Sequence, residues 1–321
     1  MSSESSEFDL IRRHFTRSGH HTDLGVGDDA ALFTPSAGMQ LAVSTDMLVC
    51  GTHFLPETDP LDLGWKTLAV NVSDIAAMGG QPRWALLALS LPQADENWIT
   101  SFARGLFECA DAFGVDLIGG DTTRGPLNLC VTIFGEVPAG QALTRSQAAA
   151  GDDIWITGQP GRAALGLAHL QQRLRLPAAG AAECIRALQR PQPRVAAGQA
   201  LRALASAMLD LSDGLAGDLR HILRASGLGA ELNTQALPLA ALHALGASPA
   251  AAQQALLSGG DDYELLFTAP PHHREAVQQL GQRLELAMSR IGHTTASQGF
   301  MLRNGDGPAT SFDSTGYDHF A

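Results

Sequence analysis

Along this chain, apolar stretches of strand length alternate with stretches whose apolar residues recur at helical spacing. The aspartates collect where those stretches end. That alternation confines the fold to a mixed α/β architecture. A strand, LAVST (41–45), stops at Asp46. The helix after it is punctuated at both ends: Asp59 to cap it, Pro60 at its first position and Asp62 at its positive end, then Gly79-Gly80 to stop it, with Pro82 beyond. RWALLALSL (83–91) reads as a buried strand, and 95–113 as a second helix with Phe102, Leu106, Ala110 and Phe113 on one side. VDLIG (115–119) and LNLCVTIFGEV (127–137) are further strands. A boundary falls near RSQAAAGDD (145–153), before a fresh strand, DIWITG. The second half repeats the pattern: a helix after Gly161, another over 194–206, a short strand ending at Asp210, a helix from Gly214 and a strand YELLFTA (263–269). The Pro- and Ala-rich stretch 176–182 reads as a surface connection. At 321 residues the chain holds two domains, expected as 1–148 and 149–321.

Charge narrows the function. With 33 acidic residues against 21 basic, net −12, a general electrostatic surface for nucleic acid is excluded. A phosphorylated ligand remains possible where cations bridge it to the protein. The four cysteines are scattered, with no C-x-x-C pair, so neither a zinc cluster nor a disulfide framework is expected, and a reducing cytoplasm fits. The N-terminus lacks an apolar signal core, and no apolar run approaches membrane-spanning length.

The informative acids are Asp28 and Asp29 in GVGDDAAL, Asp46 in STDML, Asp74 in NVSDIAAMGG, Asp121 in LIGGDTTRG, Asp210 and Asp213 in DLSDGL, and Asp261 and Asp262 in SGGDDYELLF. Two of these segments set Gly-Gly directly before an aspartate, and both triplets read as turns. Loops at strand ends are where α/β proteins place ligands. Hard divalent cations take oxygen ligands, and magnesium shares phosphate oxygens while keeping waters. Aspartates from separate segments can therefore turn an acidic pocket into a phosphate pocket. Taken singly, each acid is as well explained by a turn or a helix cap. Asp74 differs, because it sits inside an otherwise apolar helix with Asn71 three residues back on the same face. The phosphate loop G-x-x-x-x-G-K-[ST] is absent, and Lys66, the sole lysine, follows no glycine loop. No H-R-D loop and no G-x-S-x-G elbow is present. TGQPGRAALG (157–166) is equally a tight turn before a helix. His20-His21 and His272-His273 read as surface residues.

Eight motifs in order, GVGDDAAL, STDMLVCGTHF, AVNVSDIAAMGGQPRW, IGGDTTRG, ALTRS, MLDLSDGLAGDL, SGGDDYELLF and GYDHF, span residue 25 to the C-terminus. Together they resemble the thiamine-monophosphate kinase family, within the superfamily similar to aminoimidazole ribonucleotide synthetase. The resemblance implies an α/β (α+β) fold: an N-terminal ATP- and metal-binding domain that dimerises through its sheet, and a C-terminal α/β domain that completes the substrate and metal site. It implies ATP-dependent phosphorylation of thiamine monophosphate to thiamine diphosphate with several magnesium ions, and leaves room for a monovalent cation. It implies a cytoplasmic homodimer with no nucleic-acid or membrane partner. Metal is expected on Asp29, Ser44, Thr45, Asp46, Asp74, Asp121, Asp210 and Asp213. ATP is expected on Gly120, Asp121, Arg145 and Ser212, and the thiamine substrate on His53, Asp261 and Tyr317. Asp74, Asp121, Arg145 and Asp210 are the expected catalytic group. Asp28 is the lesser member of its pair, and Cys50 stands where an acidic residue is expected in many relatives. The competing readings are another transferase or ligase of the superfamily, a non-catalytic nucleotide-binding module, and a metal-dependent phosphohydrolase, which would turn over ATP without an organic acceptor.

Overall fold

The computed structural model describes residues 7–312. They divide into two compact units, one of residues up to 75 with 80–140, the other of 76–79 with 141 onward. The first begins with α1 (Glu7–Leu10), which runs on as a π-helical turn over Ile11–Phe15. It continues through β1 (Met39–Val49), α2 (Pro60–Ala77), β2 (Gln81–Leu91), α3 (Glu96–Phe113), β3 (Asp116–Arg124) and β4 (Asn128–Pro138). The strands form one sheet in the order β1-β4-β2-β3. β1, β4 and β2 are antiparallel neighbours, while the β2-α3-β3 crossover leaves β2 and β3 parallel.

Both long helices start and stop where local chemistry dictates. The Asp59 carboxylate accepts the Leu61 N–H at 2.8 Å, and Gly79, at φ +69, lies just past the end of α2. Asp95 accepts from the N–H groups of Asn97 and Trp98, and Gly114 closes α3 in the left-handed region. The helices approach through glycine: a Cβ on Gly64 would collide with the Phe102 carbonyl, and one on Gly105 with that of Leu61.

The sheet is two-faced because side chains alternate along each strand. On β1, Ala42, Ser44, Asp46 and Leu48 take the more buried face, while Leu41, Val43, Thr45 and Met47 take the exposed one. Leu41, Val43 and Met47 are 40%, 56% and 52% exposed, a run of apolar side chains on an edge strand.

The first Gly-Gly-Asp is not a turn. Gly119, Gly120 and Asp121 lie within β3, paired with Leu86, Leu87 and Ala88 of β2. Gly120 is at φ +147, and a Cβ there would meet the Leu87 carbonyl, so glycine serves close strand approach beside the register shift at Ala85/Leu86.

Asp116, at the start of β3, holds the segment leading in from the N-terminus. Its carboxylate accepts the N–H groups of His20 (2.9 Å) and His21 (2.7 Å) and the Thr22 hydroxyl (2.8 Å). Burial opposes its charge, but the three donors outweigh that and hold the carboxyl below the ordinary aspartate range. Asp116→Ala is expected to lower unfolding free energy by about 1–3 kcal/mol at pH 7 and to expose 17–22 to protease. A depressed carboxyl contributes stability above its unfolded pKa and loses it as pH falls, so the gap from wild type should close below about pH 4. Chemical denaturation at two pH values reads both effects; a pH-independent gap would refute the charge argument.

The second unit contains β5 (Asp153–Thr157), α4 (Arg162–Leu170), α5 (Ala178–Gln189), α6 (Val195–Leu201), β6 (Ala207–Asp210), α7 (Leu215–Ser226), β7 (Gly229–Asn233), α8 (Leu239–Ala244), α9 (Pro249–Ser258), β8 (Leu265–Ala269), α10 (Arg274–Arg283), β9 (Met288–Thr295), β10 (Phe300–Arg303) and β11 (Ala309–Ser311). Its sheet runs β11-β10-β7-β9-β5-β8-β6. Alternation again sorts the core: Ile154, Ile156 and Leu266 join Leu165, Leu219 and Leu256 on one side, while Trp155 and Phe267 join Leu201, Val277 and Leu280 on the other. The stretch 176–182 is not a surface connection. α5 starts inside it, and Gly180 and Ala181 are buried because a helix backbone passes against the Leu245 carbonyl there. The helix expected over 194–206 ends at Leu201.

Candidate active site

In the first unit, β1 and α2 bring three of the expected ligands together. The Ser44 hydroxyl donates to Asp74 Oδ2 at 2.6 Å, and the Asp46 N–H donates to Asn71 Oδ1 at 3.1 Å. Asn71 in turn donates to the Thr67 carbonyl within the helix, so its amide orientation is fixed from both sides. Asp74 is half-buried rather than sealed in the helix core. Thr45 points to the opposite face, where its hydroxyl pairs with that of Thr132 at 2.8 Å, so its side chain does not join the others.

Asp121 and Gly120 are exposed on β3. Asp28 Oδ1 accepts the Asp29 N–H at 2.9 Å, so the Asp28 carboxylate is engaged with the local backbone. His53 lies in the turn after β1, where Nδ1 accepts the Val49 N–H at 3.0 Å and its carbonyl accepts from the buried Lys66 at 3.3 Å. The ring is therefore the tautomer with its proton on Nε2. Burial, and after it the Asp46 carboxylate, raise the Cys130 thiol above its ordinary range.

In the second unit, β6 ends at the buried Asp210, and the loop after it is stitched to the segment before β8. The Leu211 N–H donates to the Glu264 carbonyl (2.8 Å), Tyr263 N–H to Leu211 (2.8 Å) and Asp261 N–H to Ser212 (2.9 Å). Asp218, which the sequence reading passed over, shapes the same loop: its Oδ2 accepts the N–H groups of Ser212 (3.1 Å) and Asp213 (3.0 Å). An acid one turn into an apolar helix was the available signal. Burial above all pushes its carboxyl up to about 7, with Arg145 and the two N–H groups pulling against it. Arg145 is exposed in the loop before β5, with its carbonyl held by the Ser226 hydroxyl at 3.1 Å, and its charge also lowers His221 after burial has done so. Arg145, Ser212 and Asp213 thus gather around the first turns of α7.

The glycine-rich stretch 157–166 takes the structural role. Its N–H groups at Gly161 (2.7 Å) and Ala163 (3.4 Å) are spent on the Asp262 carboxylate, which desolvation drives well above the usual aspartate range. Asp262 is therefore a helix cap. Tyr317 lies outside the described residues.

Among the described residues no group of three or more His, Cys, Asp or Glu side chains could by itself hold a metal ion. The donors present still fit magnesium. Ser44, Asp46 and Asp74 offer hard oxygen, as do Asp210 and Asp213, and magnesium needs only one or two carboxylates when phosphate and water complete its shell. Among the described residues no helix is long and apolar enough to cross a membrane.

Residues 27–137 match the family model for AIR synthase related protein, N-terminal domain, and 149–303 that for AIR synthase related protein, C-terminal domain. The chain is 48% identical over 319 residues to thiamine-monophosphate kinase of Escherichia coli (strain K12), covering 98% of each. It superposes on the crystal structure of thiamine-monophosphate kinase from Stenotrophomonas maltophilia K279a with a TM-score of 0.84 and 44% identity, over 97% of this chain and 98% of that one. AaThiL complexed with AMPPCP and TMP aligns with a TM-score of 0.76 and 30% identity over 92% of each chain.

Proposed function

The chain belongs to the thiamine-monophosphate kinase family, and from that membership we propose its reaction: transfer of the γ-phosphoryl group of ATP to thiamine monophosphate, giving thiamine diphosphate and ADP. The observation that carries the reading to particular residues is the Ser44–Asp74 contact, which presents a hydroxyl and a carboxylate together from β1 and α2.

The acceptor is a phosphate monoester oxygen, already ionised near neutral pH. No strong general base is required, which agrees with the lack of an activated Ser, Cys or His in the motifs. The difficulty is to bring two anions into line. Ser44, Asp46 and Asp74, with Asp29 and Asp121, would hold magnesium in the first unit, and Asp210 and Asp213 in the second. When bound, magnesium neutralises phosphate charge and orients the transferring group. Arg145 supplies positive charge to the phosphates, and Ser212, its backbone fixed through Asp218, presents its hydroxyl to ATP; Gly120 is assigned to ATP in the first unit. His53 and Asp261 are assigned to the thiamine substrate, Asp261 as the partner of its cationic part; Tyr317 is assigned there too. Residues 1–148 would carry most of the metal set and 149–321 the remainder. Transfer is direct, with no phosphoenzyme. The four free cysteines support a cytoplasmic location.

The test is incubation with Mg-ATP and thiamine monophosphate, resolving thiamine species and nucleotides, with a metal-free control. Magnesium-dependent thiamine diphosphate with equal ADP is expected. ADP alone would point to hydrolysis or another acceptor.

The exposed face of β1 supports a homodimer. Leu41, Val43 and Met47 line an apolar stripe of the kind that a second copy would cover. Val43→Asp is expected to shift the protein to a monomer by light scattering while leaving its circular dichroism unchanged. A dimer that survives the substitution would move the interface elsewhere.

A further inference from the structure

The segment before β8 uses its residues in an order the backbone alone would not choose. Among the described residues only four other than glycine have positive φ, and two of them, Asp261 (φ 67) and Tyr263 (φ 50), lie here two positions apart. An aromatic side chain in this region is a true outlier, and glycine is what relieves it. Two glycines stand immediately upstream, at 259 and 260, yet neither has positive φ. They serve close packing: a Cβ on Gly259 would meet the Ala255 carbonyl, and one on Gly260 the Ser212 carbonyl. The strained positions are given to residues with side chains.

Three attachments impose the strain. The Asp261 N–H is held by Ser212, the Tyr263 N–H by Leu211, and Asp262 between them caps α4. So fixed, the buried Tyr263 turns its hydroxyl to donate to Asp261 Oδ1 at 3.1 Å. Strain kept at a functional segment marks side chains held for a purpose.

We propose that Tyr263 is a positioning residue for the organic part of the acceptor: its phenol sets the orientation in which Asp261 meets the substrate cation. This rests on the assignment of Asp261 to thiamine monophosphate. The phenol touches no reacting atom, so it governs binding of the acceptor and leaves ATP and the chemical step alone.

Tyr263→Phe removes one hydroxyl and keeps the ring and backbone. KM for thiamine monophosphate is expected to rise roughly 10- to 100-fold, the loss of one hydrogen bond to a charged group, with kcat and KM for ATP within about twofold. In an Asp261→Asn background the same change should add nothing, because Tyr263 acts through that carboxylate. An unchanged KM, an equal rise for both substrates, a fall confined to kcat, or full additivity with Asp261→Asn would each overturn the proposal. An unfolding curve on Tyr263→Phe identifies a general loss of fold, and Asp261→Asn alone then keeps the question open to measurement: unaltered acceptor KM there removes the residue through which Tyr263 acts, and the proposal with it. Wild-type protein that makes no thiamine diphosphate would instead sink the functional reading, and this inference falls with it.

Discussion

Asp74→Asn is expected to leave the protein folded and to reduce thiamine diphosphate formation by at least about 10³-fold, the loss of several kcal/mol of charge stabilisation at the phosphates. The substitution is close to isosteric. The amide oxygen can still accept from Ser44 Oγ, now 2.6 Å from Asp74 Oδ2, so the tie between β1 and α2 survives. The negative charge is removed, and one acceptor oxygen becomes an amide NH2. Thermal melting should move by no more than a few degrees, since the position is half-buried. Steady-state turnover across a magnesium titration reads the effect: the loss should persist at saturating ATP and be only partly recovered by excess metal. Wild-type turnover would remove Asp74 from the metal set and leave the β1–α2 contact a purely structural one.

Glu264→Ala acts on stability instead, and should cost about 3–5 kcal/mol. Arg194 meets Glu264 through two bonds of 2.6 Å, and the Thr157 hydroxyl donates to the same carboxylate at 2.8 Å while accepting the Leu265 N–H. The Glu264 side chain is 4% exposed. Removing it strands a largely buried guanidinium and a buried hydroxyl at the junction of β5 and β8. Replacing both partners by leucine should recover much of the loss, because the charged pair is costly to desolvate in the first place. Urea denaturation of the single and double variants separates these outcomes. A single variant within 1 kcal/mol of wild type would mean that water reaches Arg194 once the carboxylate is gone.

The elements governed by local chemistry were legible in the sequence. Asp59, Pro60 and the glycines past α2, and the helical spacing of Phe102, Leu106, Ala110 and Phe113 in α3, announce those helices with nothing else in view. Elements decided by distant neighbours were not. α5 has no side-chain cap at its start, and its Ala-Gly run is helical because it packs on the Leu245 carbonyl far along the chain. LIGGDTTRG reads as a turn until β2 is placed beside it. The motif resemblance assigns segments to the site, but nothing in the letters of Asp261-Asp262 says which acid caps a helix. Tyr263 was invisible for the same reason: its role depends on φ values imposed by Ser212 and Leu211.

The two faces of β1 have a consequence for how the protein is made. Ser44 pairs with Ile133, so the strand leaves the ribosome with its partner still some ninety residues from being synthesised. At roughly 5–20 residues per second that interval lasts roughly 5–18 s. Throughout it, the run from Leu41 to Met47 is an unpaired nascent strand, apolar on one side and acidic on the other. A one-residue slip when β4 finally arrives would bury Thr45's face in place of Asp46's and reverse both surfaces at once. Until residue 138 emerges, the apolar stripe of the nascent chain is open to encounters with other chains.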